Sequence, residues 1–414
     1  MIQSIHIKNF KSLVDLSLDL GTFNVLIGEN GCGKSNILEA VAFGAAASAD
    51  KLDYEFLGSR GIRVTNPEFM FSAFNNGTDK NKIEINFKID DILFPEIKYV
   101  VSNTQGNSKK WINVSKEVIG KAAGEKLASI LFEKNKKKRE IELNEFFKGN
   151  EKYIVSLEQI AEEISEIADK KGMQGEKSKF FNFIFSQFLN DRYSNEAISN
   201  YIVYSPEQSS LRRFEDTTQI YPLGIKGEGL FQYLKELAFN KENKKTLNAI
   251  KQNLLLLDWY ESFDLPENLM KTEFSLKIKD KYLFSNLQYF DQRSTNEGFL
   301  FLLFYSTLFI SKNTPAFFAI DNIDASFNPK LCMQLIKNLA TLAKKNKKQV
   351  IVTTHNPAIL DGLNLKDNDQ RLFVVRRNDE GHTQAKRIEF KADRTMKLSE
   401  VWTNGFIGGL PENF

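Results

Sequence analysis

Eight residues near the N-terminus, Gly28 to Ser35 in "GENGCGKS", have the spacing G-x-x-x-x-G-K-S. In that pattern the glycines let backbone N–H groups turn inward around phosphate. A lysine then reaches the β and γ phosphates and a serine hydroxyl ligates magnesium. Lys34 and Ser35 fill the last two roles, and Asn30, Gly31, Cys32, Gly33 and Asn36 complete the loop and the first turn beyond it. "FNVLI" before the loop reads as a buried strand, and "SNILEAVAFGAAASA" after it has helical spacing. A strand entering and a helix leaving is the context this pattern needs, and the helix N-terminus adds its dipole to the anion site. The predicted cofactors are ATP and Mg2+.

A second chemical centre lies far along the chain, in "AFFAIDNID". Four apolar residues lead into Asp321, which is predicted to hold magnesium through water from the end of a neighbouring parallel strand. The next residue in hydrolases of this pattern is usually a glutamate that polarises the attacking water. Here it is Asn322. A carboxylate can take a proton, whereas an amide can only hydrogen-bond the water, so hydrolysis is predicted to be slow. Asp324 is the nearest other carboxylate. His355 ends "QVIVTTH" and has two readings: a sensor of the γ-phosphate, or a polar residue capping the helix that starts near Pro357.

These residues need a scaffold, and the hydrophobic pattern predicts one of α/β class. Residues 1–117 read as strands around one strong helix, with "KIEINFKI" and "IKYVVSN" as antiparallel strands. Residues 118–263 change texture to long, charged, amphipathic stretches, predicted to be a helical insertion with an irregular break at "YIVYSPEQSSLRRFEDTTQIYPLG". Strand–helix alternation resumes over 264–414: "EFSLKI", a helix from about Glu297, "AFFAID", a helix near 330–345, "QVIVTTH" and "RLFVVRR". The two ends are predicted to close into one domain around the helical excursion.

Taken together, "IHIKNFKSL", "NVLIGENGCGKSNILEA", "AFFAIDNID" and "VTTHNPAIL" resemble the ABC-type ATPases of the SMC, RecF and OLD group. The similarity extends to stand-alone bacterial ATPases paired with a separate nuclease or toxin in anti-phage defence operons. "YPLGIKGEGLFQYL" and "LSEVWTNGFIGGLPENF" are also similar to segments of those proteins. The resemblance implies an ABC-type P-loop ATPase fold, a mixed sheet with helices, interrupted by the helical insertion. It implies a homodimer or higher oligomer, in which a signature loop completes the partner's nucleotide site. "RSTNEGFLFLLF" matches that loop, with Asn296, Glu297 and Gly298 where the group has Ser-x-Gly. Lys11 and Ser12 match a segment that lies near the nucleotide, and an ordinary strand-end turn is the other reading of them.

Composition narrows the rest. Hydrophobic residues make up 42% and charged residues 26% of 414, and no apolar run is long enough to cross a bilayer. Two cysteines and a first strand beginning at Met1 fit a cytoplasmic protein with no disulfide framework and no membrane partner. A net charge of +3 permits a local basic face and demands none. "EKNKKKRE" (133–140) is either a nucleic-acid contact or a solvated helix face, and Arg212 and Arg213 are either nucleotide or partner sensors or a solvated pair. The function that fits is a slow ATPase that senses and scaffolds, controlling a separate nuclease or toxin effector. The alternative is a DNA-repair or SMC-like ATPase acting directly on DNA. A self-contained nuclease is disfavoured, because no nuclease motif follows "VVRRNDEGHTQAKRIEF".

Overall fold

The computed structural model describes residues 1–74, 81–90, 95–104, 110–119, 121–133, 135–146, 159, 162–163, 166, 195–213, 220–265, 276–284 and 287–410. Strands β1 (Ile2–Phe10) and β2 (Leu13–Asp19) form a hairpin, and β3 (Phe23–Ile27) leads into helix α1 (Lys34–Ser48) and short α2 (Tyr54–Ser59). Next come β4 (Lys82–Ile89), β5 (Glu96–Asn103), β6 (Trp111–Ile119), α3 (Lys121–Leu131) and α4 (Lys136–Phe146). The middle continues with α5 (Glu196–Ser199), β7 (Val203–Tyr204), α6 (Gln208–Leu211), α7 (Leu230–Phe239), α8 (Lys244–Asn253), β8 (Tyr260–Asp264) and β9 (Lys277–Asp280). The C-terminal part holds α9 (Glu297–Ile310), β10 (Phe317–Ile320), α10 (Pro329–Lys345), β11 (Gln349–Thr353), β12 (Gln370–Arg377), β13 (Thr383–Ile388) and α11 (Leu398–Thr403).

Two sheets organise these elements. One is antiparallel, in the order β2-β1-β4-β5-β6; the other has the order β13-β12-β3-β11-β10-β7. In the second sheet β12, β3, β11, β10 and β7 run parallel and only β13 runs against its neighbour. A parallel sheet is stable when both faces are covered, and its central strands β3, β10 and β11 are buried throughout. Alternate residues of β10 therefore enter different cores: Phe317 and Ala319 pack with α1 and the antiparallel sheet, Phe318 and Ile320 with α9 and α10. Helix α1 lies between the two sheets and is buried almost all round, as is α9 from Phe299 to Phe309.

The two ends do close on one another. β3 sits between β11 and β12, which lie more than 300 residues away in sequence. Gln349 bonds the N–H and C=O of Ile2 at 2.9 and 2.7 Å. The stretch 118–263 is not helical throughout among its described residues. Val203–Tyr204, inside the expected irregular break, is an edge strand whose pairing with Ala319 and Ile320 extends the parallel sheet, and Tyr260–Asp264 pairs with β9. Two residues of pairing leave no periodicity to read, which is why a strand this short has no local signal. The buried hydrophobic residues of 202–213 and 220–263 other than Val203 pack on the α9 and α10 side, while Val203 and Leu127, Ile130, Leu131 and Leu143 of α3 and α4 join the core of the antiparallel sheet. The acidic segment "SLEQIAEEISEIADKK" (156–171) lies almost wholly outside the described residues, as does the start of "EFSLKI". In the basic run, Lys138 pairs with Glu133 at 2.8 Å and Glu142 at 3.9 Å, as on a solvated helix. No helix of the described residues is long and apolar enough to cross a membrane.

Candidate functional site

Because β3, β7, β10 and β11 are parallel, their carboxyl ends open on one side of the sheet, where ligands of such sheets bind. The phosphate loop follows β3, Asp321 follows β10, His355 follows β11 and Ser205 follows β7. Gly28 (φ +150°) and Gly33 (φ +109°) have backbone angles and surroundings that exclude a side chain. A Cβ on Gly28 would lie 2.1 Å from the Val375 carbonyl oxygen, and one on Gly33 would lie 2.2 Å from Thr383 Oγ1. Gly31, also left-handed, faces open space, and Asn30 and Gly31 are exposed at the loop's crest.

Lys34 is buried, and its amine donates to the carbonyls of Gly28 and Glu29 at 2.8 and 2.9 Å. Burial lowers its pKa, against the opposing influence of Cys32, Asp321 and Glu29. Ser35 Oγ donates to Asp321 Oδ2 at 3.0 Å, and Thr353 Oγ1 donates to Asp321 Oδ1. Thr353 Oγ1 also accepts the Asn322 N–H at 2.9 Å. The last residue of β11 thus fixes both the aspartate and the residue after it. Asn322 is exposed and stands at φ +56°, a left-handed conformation that asparagine tolerates better than most side chains. Asp324 is held back by Thr354 Oγ1 at 2.6 Å.

His355 is exposed at the same mouth. The cap of the following 3-10 turn, Pro357–Gly362, is Asn356, whose side chain accepts from Ala358 N–H at 3.0 Å; the histidine is left facing outward. Desolvation first, and then the Lys34 cation, push its imidazole below the ordinary value, with Asp324 and Asp321 opposing. The unfolded chain therefore binds the proton more readily in the window below 6.5. This contribution to stability is complete above 6.5 and is lost as pH falls. Unfolding of nucleotide-free protein should lose less stability on acidification in His355→Gln than in the wild type. Parallel pH curves for the two proteins would refute the assignment.

Ser12, Asn36, Cys32 and Gly33 come together behind the loop. Asn36 Nδ2 donates to Ser12 Oγ at 2.8 Å, Ser12 Oγ to Thr383 Oγ1 at 2.7 Å, and Thr383 Oγ1 to the Cys32 carbonyl at 2.8 Å. Ser12 thus braces the phosphate loop from behind. Lys11 turns its amine to buried Glu39 of α1, which Arg63 also pairs. That carboxylate needs cations to be stable in the core, so the Lys11 amine is engaged there.

Asn296, Glu297 and Gly298 lie elsewhere. Asn296 caps α9, accepting from Phe299 N–H at 2.9 Å, and Glu297 accepts from Ser326 Oγ at 2.7 Å. With Trp259, Asn328 and Lys330 they line a cavity of about 600 Å³ onto which the N-termini of α9 and α10 open; no residue of the phosphate loop lines it. Arg212 donates to the carbonyls of Gln292 and Arg293 at 3.0 and 2.7 Å. Thr353, Thr354, Thr383 and Glu39 are the residues of the site that motif spacing does not reveal. The consecutive threonines before His355 were the only visible hint.

Residues 23–361 match the family model described as "AAA domain, putative AbiEii toxin, Type IV TA system". The chain is 27% identical over 302 residues to structural maintenance of chromosomes protein 2 of Dictyostelium discoideum, which takes in 61% of this chain and 25% of that protein. It is 30% identical over 113 residues to an ATP/GTP phosphatase of Helicobacter pylori, 25% of this chain and 30% of that protein. The matches thus span less than a third of either relative's length. Among solved structures it is similar to the SmcHead bound to the C-winged helix domain of ScpA. There the TM-score is 0.52 at 18% identity, covering 94% of this chain and 98% of that one. At that identity the likeness shows the fold alone: the ABC-ATPase-like fold of an SMC head.

Proposed function

This chain belongs to the family described as an AAA domain, putative AbiEii toxin, type IV TA system, and from that membership we propose that it is an ABC-type ATPase that binds Mg-ATP and hydrolyses it slowly. The carrying observation is the pairing at one strand end of Asp321, bonded to Ser35 Oγ at 3.0 Å, with an exposed Asn322 beside it. A hydroxyl and a carboxylate in hydrogen-bond contact suit a hard oxygen-seeking cation, so Ser35 and Asp321 are the residues that would hold Mg2+. Bound there, the cation would supply charge neutralisation to the phosphates. Lys34 and the inward N–H groups of the loop bind the phosphates. His355 offers the γ-phosphate a hydrogen bond. Asn322 orients water without accepting its proton, so the clamped state persists.

The same reading gives the chain a regulatory role in the cytoplasm. A homodimer holds ATP between the phosphate loop of one subunit and Asn296, Glu297 and Gly298 of the other, and this state controls a separate nuclease or toxin effector in anti-phage defence. The separation of the cavity at Asn296–Gly298 from the phosphate loop within one chain supports a site completed in trans. Residues 120–200, largely outside the described residues, are assigned to capture of the effector or trigger. Light scattering after size exclusion, with and without ATP, should give at least a dimer. Co-expression with the product of the neighbouring gene should give a complex that deletion of about 120–200 abolishes. A monomer at micromolar concentration in both conditions would remove the composite site. Binding to DNA with no protein partner would favour direct action on DNA.

A further inference from the structure

The C-terminal segment "LSEVWTNGFIGG" has no part in the chemistry above, yet it touches both walls of the site. Helix α11 is tied to the turn after His355: Ser399 N–H and Oγ donate to the two carboxylate oxygens of Asp361 at 3.0 and 2.7 Å. Beyond the helix the chain takes left-handed turns at Gly405 (φ +76°), Gly408 (φ +75°) and Gly409 (φ +78°). Gly405 N–H donates to the Trp402 carbonyl at 2.8 Å and Gly408 N–H to the Gly405 carbonyl at 3.1 Å. This path delivers Gly409 to the start of the phosphate loop. A Cβ built on it would stand 2.6 Å from Val374 Cγ1 and 3.4 Å from Gly28 Cα, with Trp402 Nε1 at 3.8 Å. The Trp402 ring is buried and its N–H has no hydrogen-bond partner among the described residues, so packing alone holds it under the turn.

Gly28 has no slack of its own, being closed in by the Val375 carbonyl and Cys32 Sγ. Its carbonyl is also one of the two that hold the Lys34 amine. We propose that Gly409 is a positioning residue for the phosphate loop: lacking a side chain, it lets the C-terminal segment close on Gly28 and fix the peptide that sets Lys34. The inference rests on the ATP-binding reading. It also explains why glycine is needed at 409 for two reasons, backbone angle and contact, but at 408 for the angle alone. The Gly28 carbonyl holds the Lys34 amine, which is expected to reach the β and γ phosphates, so disturbing it weakens the hold on ATP. The loss is read directly as ATP affinity.

Gly408 provides an internal control. G408A and G409A carry the same left-handed backbone penalty, but a methyl at 408 meets nothing within 4 Å. Calorimetry should show ATP affinity weakened at least ~10-fold in G409A and less than ~3-fold in G408A. The double variant V374A/G409A removes the side chain that the new methyl meets at 2.6 Å and leaves only ordinary contact, 3.4 Å, with Gly28 Cα, so the segment can close on Gly28 again. It should regain both thermal stability and ATP affinity relative to G409A, approaching V374A, and deletion of residues 409–414, with the same ~10-fold loss expected, replaces G409A should that variant not fold. Wild-type affinity in G409A, an equal loss in G408A, or no recovery in the double variant would overturn the proposal. A wild-type protein that fails to bind ATP would instead overturn the functional reading on which it stands.

Discussion

Lys34→Ala abolishes ATP binding and leaves the protein folded; this is the larger of the two effects expected at the site. The buried amine sits within the loop, 2.8 and 2.9 Å from the Gly28 and Glu29 carbonyls. Hydrogen bonds to charged groups contribute roughly 1.5–3 kcal/mol each, so losing contacts to two phosphates should weaken ATP by at least ~10². The fold loses less. The core around α1 is built from residues such as Ile37, Leu38, Val41 and Phe43, none of which depends on the amine. Calorimetric titration of a variant with a wild-type circular dichroism spectrum decides the matter. Undiminished affinity in that variant removes the phosphate-loop assignment.

Asn322→Glu is expected to raise kcat by at least ~10-fold, a small part of the ~10²–10⁴ that a positioned general base can provide. The main-chain position is set independently of the side chain: Thr353 Oγ1 takes the residue's N–H at 2.9 Å, and Asp321 precedes it. A glutamate there inherits an exposed place at the strand end, beside the aspartate and facing the mouth shared with His355. The cost is conformational. At φ +56° a glutamate lacks the local tolerance of asparagine, and the variant should lose on the order of ~1 kcal/mol of stability. ATP affinity should change little, since Lys34 and Asp321 remain. Phosphate release by wild type, Asn322→Glu and Asp321→Ala, measured side by side, tests this. Wild-type turnover of several per second would mean that another residue is the base. Asp324 would then be the first to replace, although Thr354 holds its carboxylate at 2.6 Å.

Structure carried by contiguous residues was legible in the sequence, and the chemistry proposed for them was read from the same letters. The phosphate loop is eight consecutive residues whose function is mostly backbone, so its glycines, Lys34 and Ser35 declare it. Asp321 is marked by the four apolar residues before it, because a strand buried on both faces must be apolar until it emerges at the ligand side. Helices α1, α9 and α10 and strands β10, β11 and β12 follow from hydrophobic pattern for the same reason. Tertiary structure alone decided what depends on residues far apart. Only folding brings Thr383 to Cys32, 351 positions away, Thr353 to Asp321, and Gly409 to Gly28. It gave the Lys11 amine to Glu39, which no local rule predicts, since a buried carboxylate draws its cations from whatever strand end is near. It also turned two residues of an expected loop into β7, because an edge strand is defined by its neighbour's free hydrogen-bonding groups rather than by its own sequence.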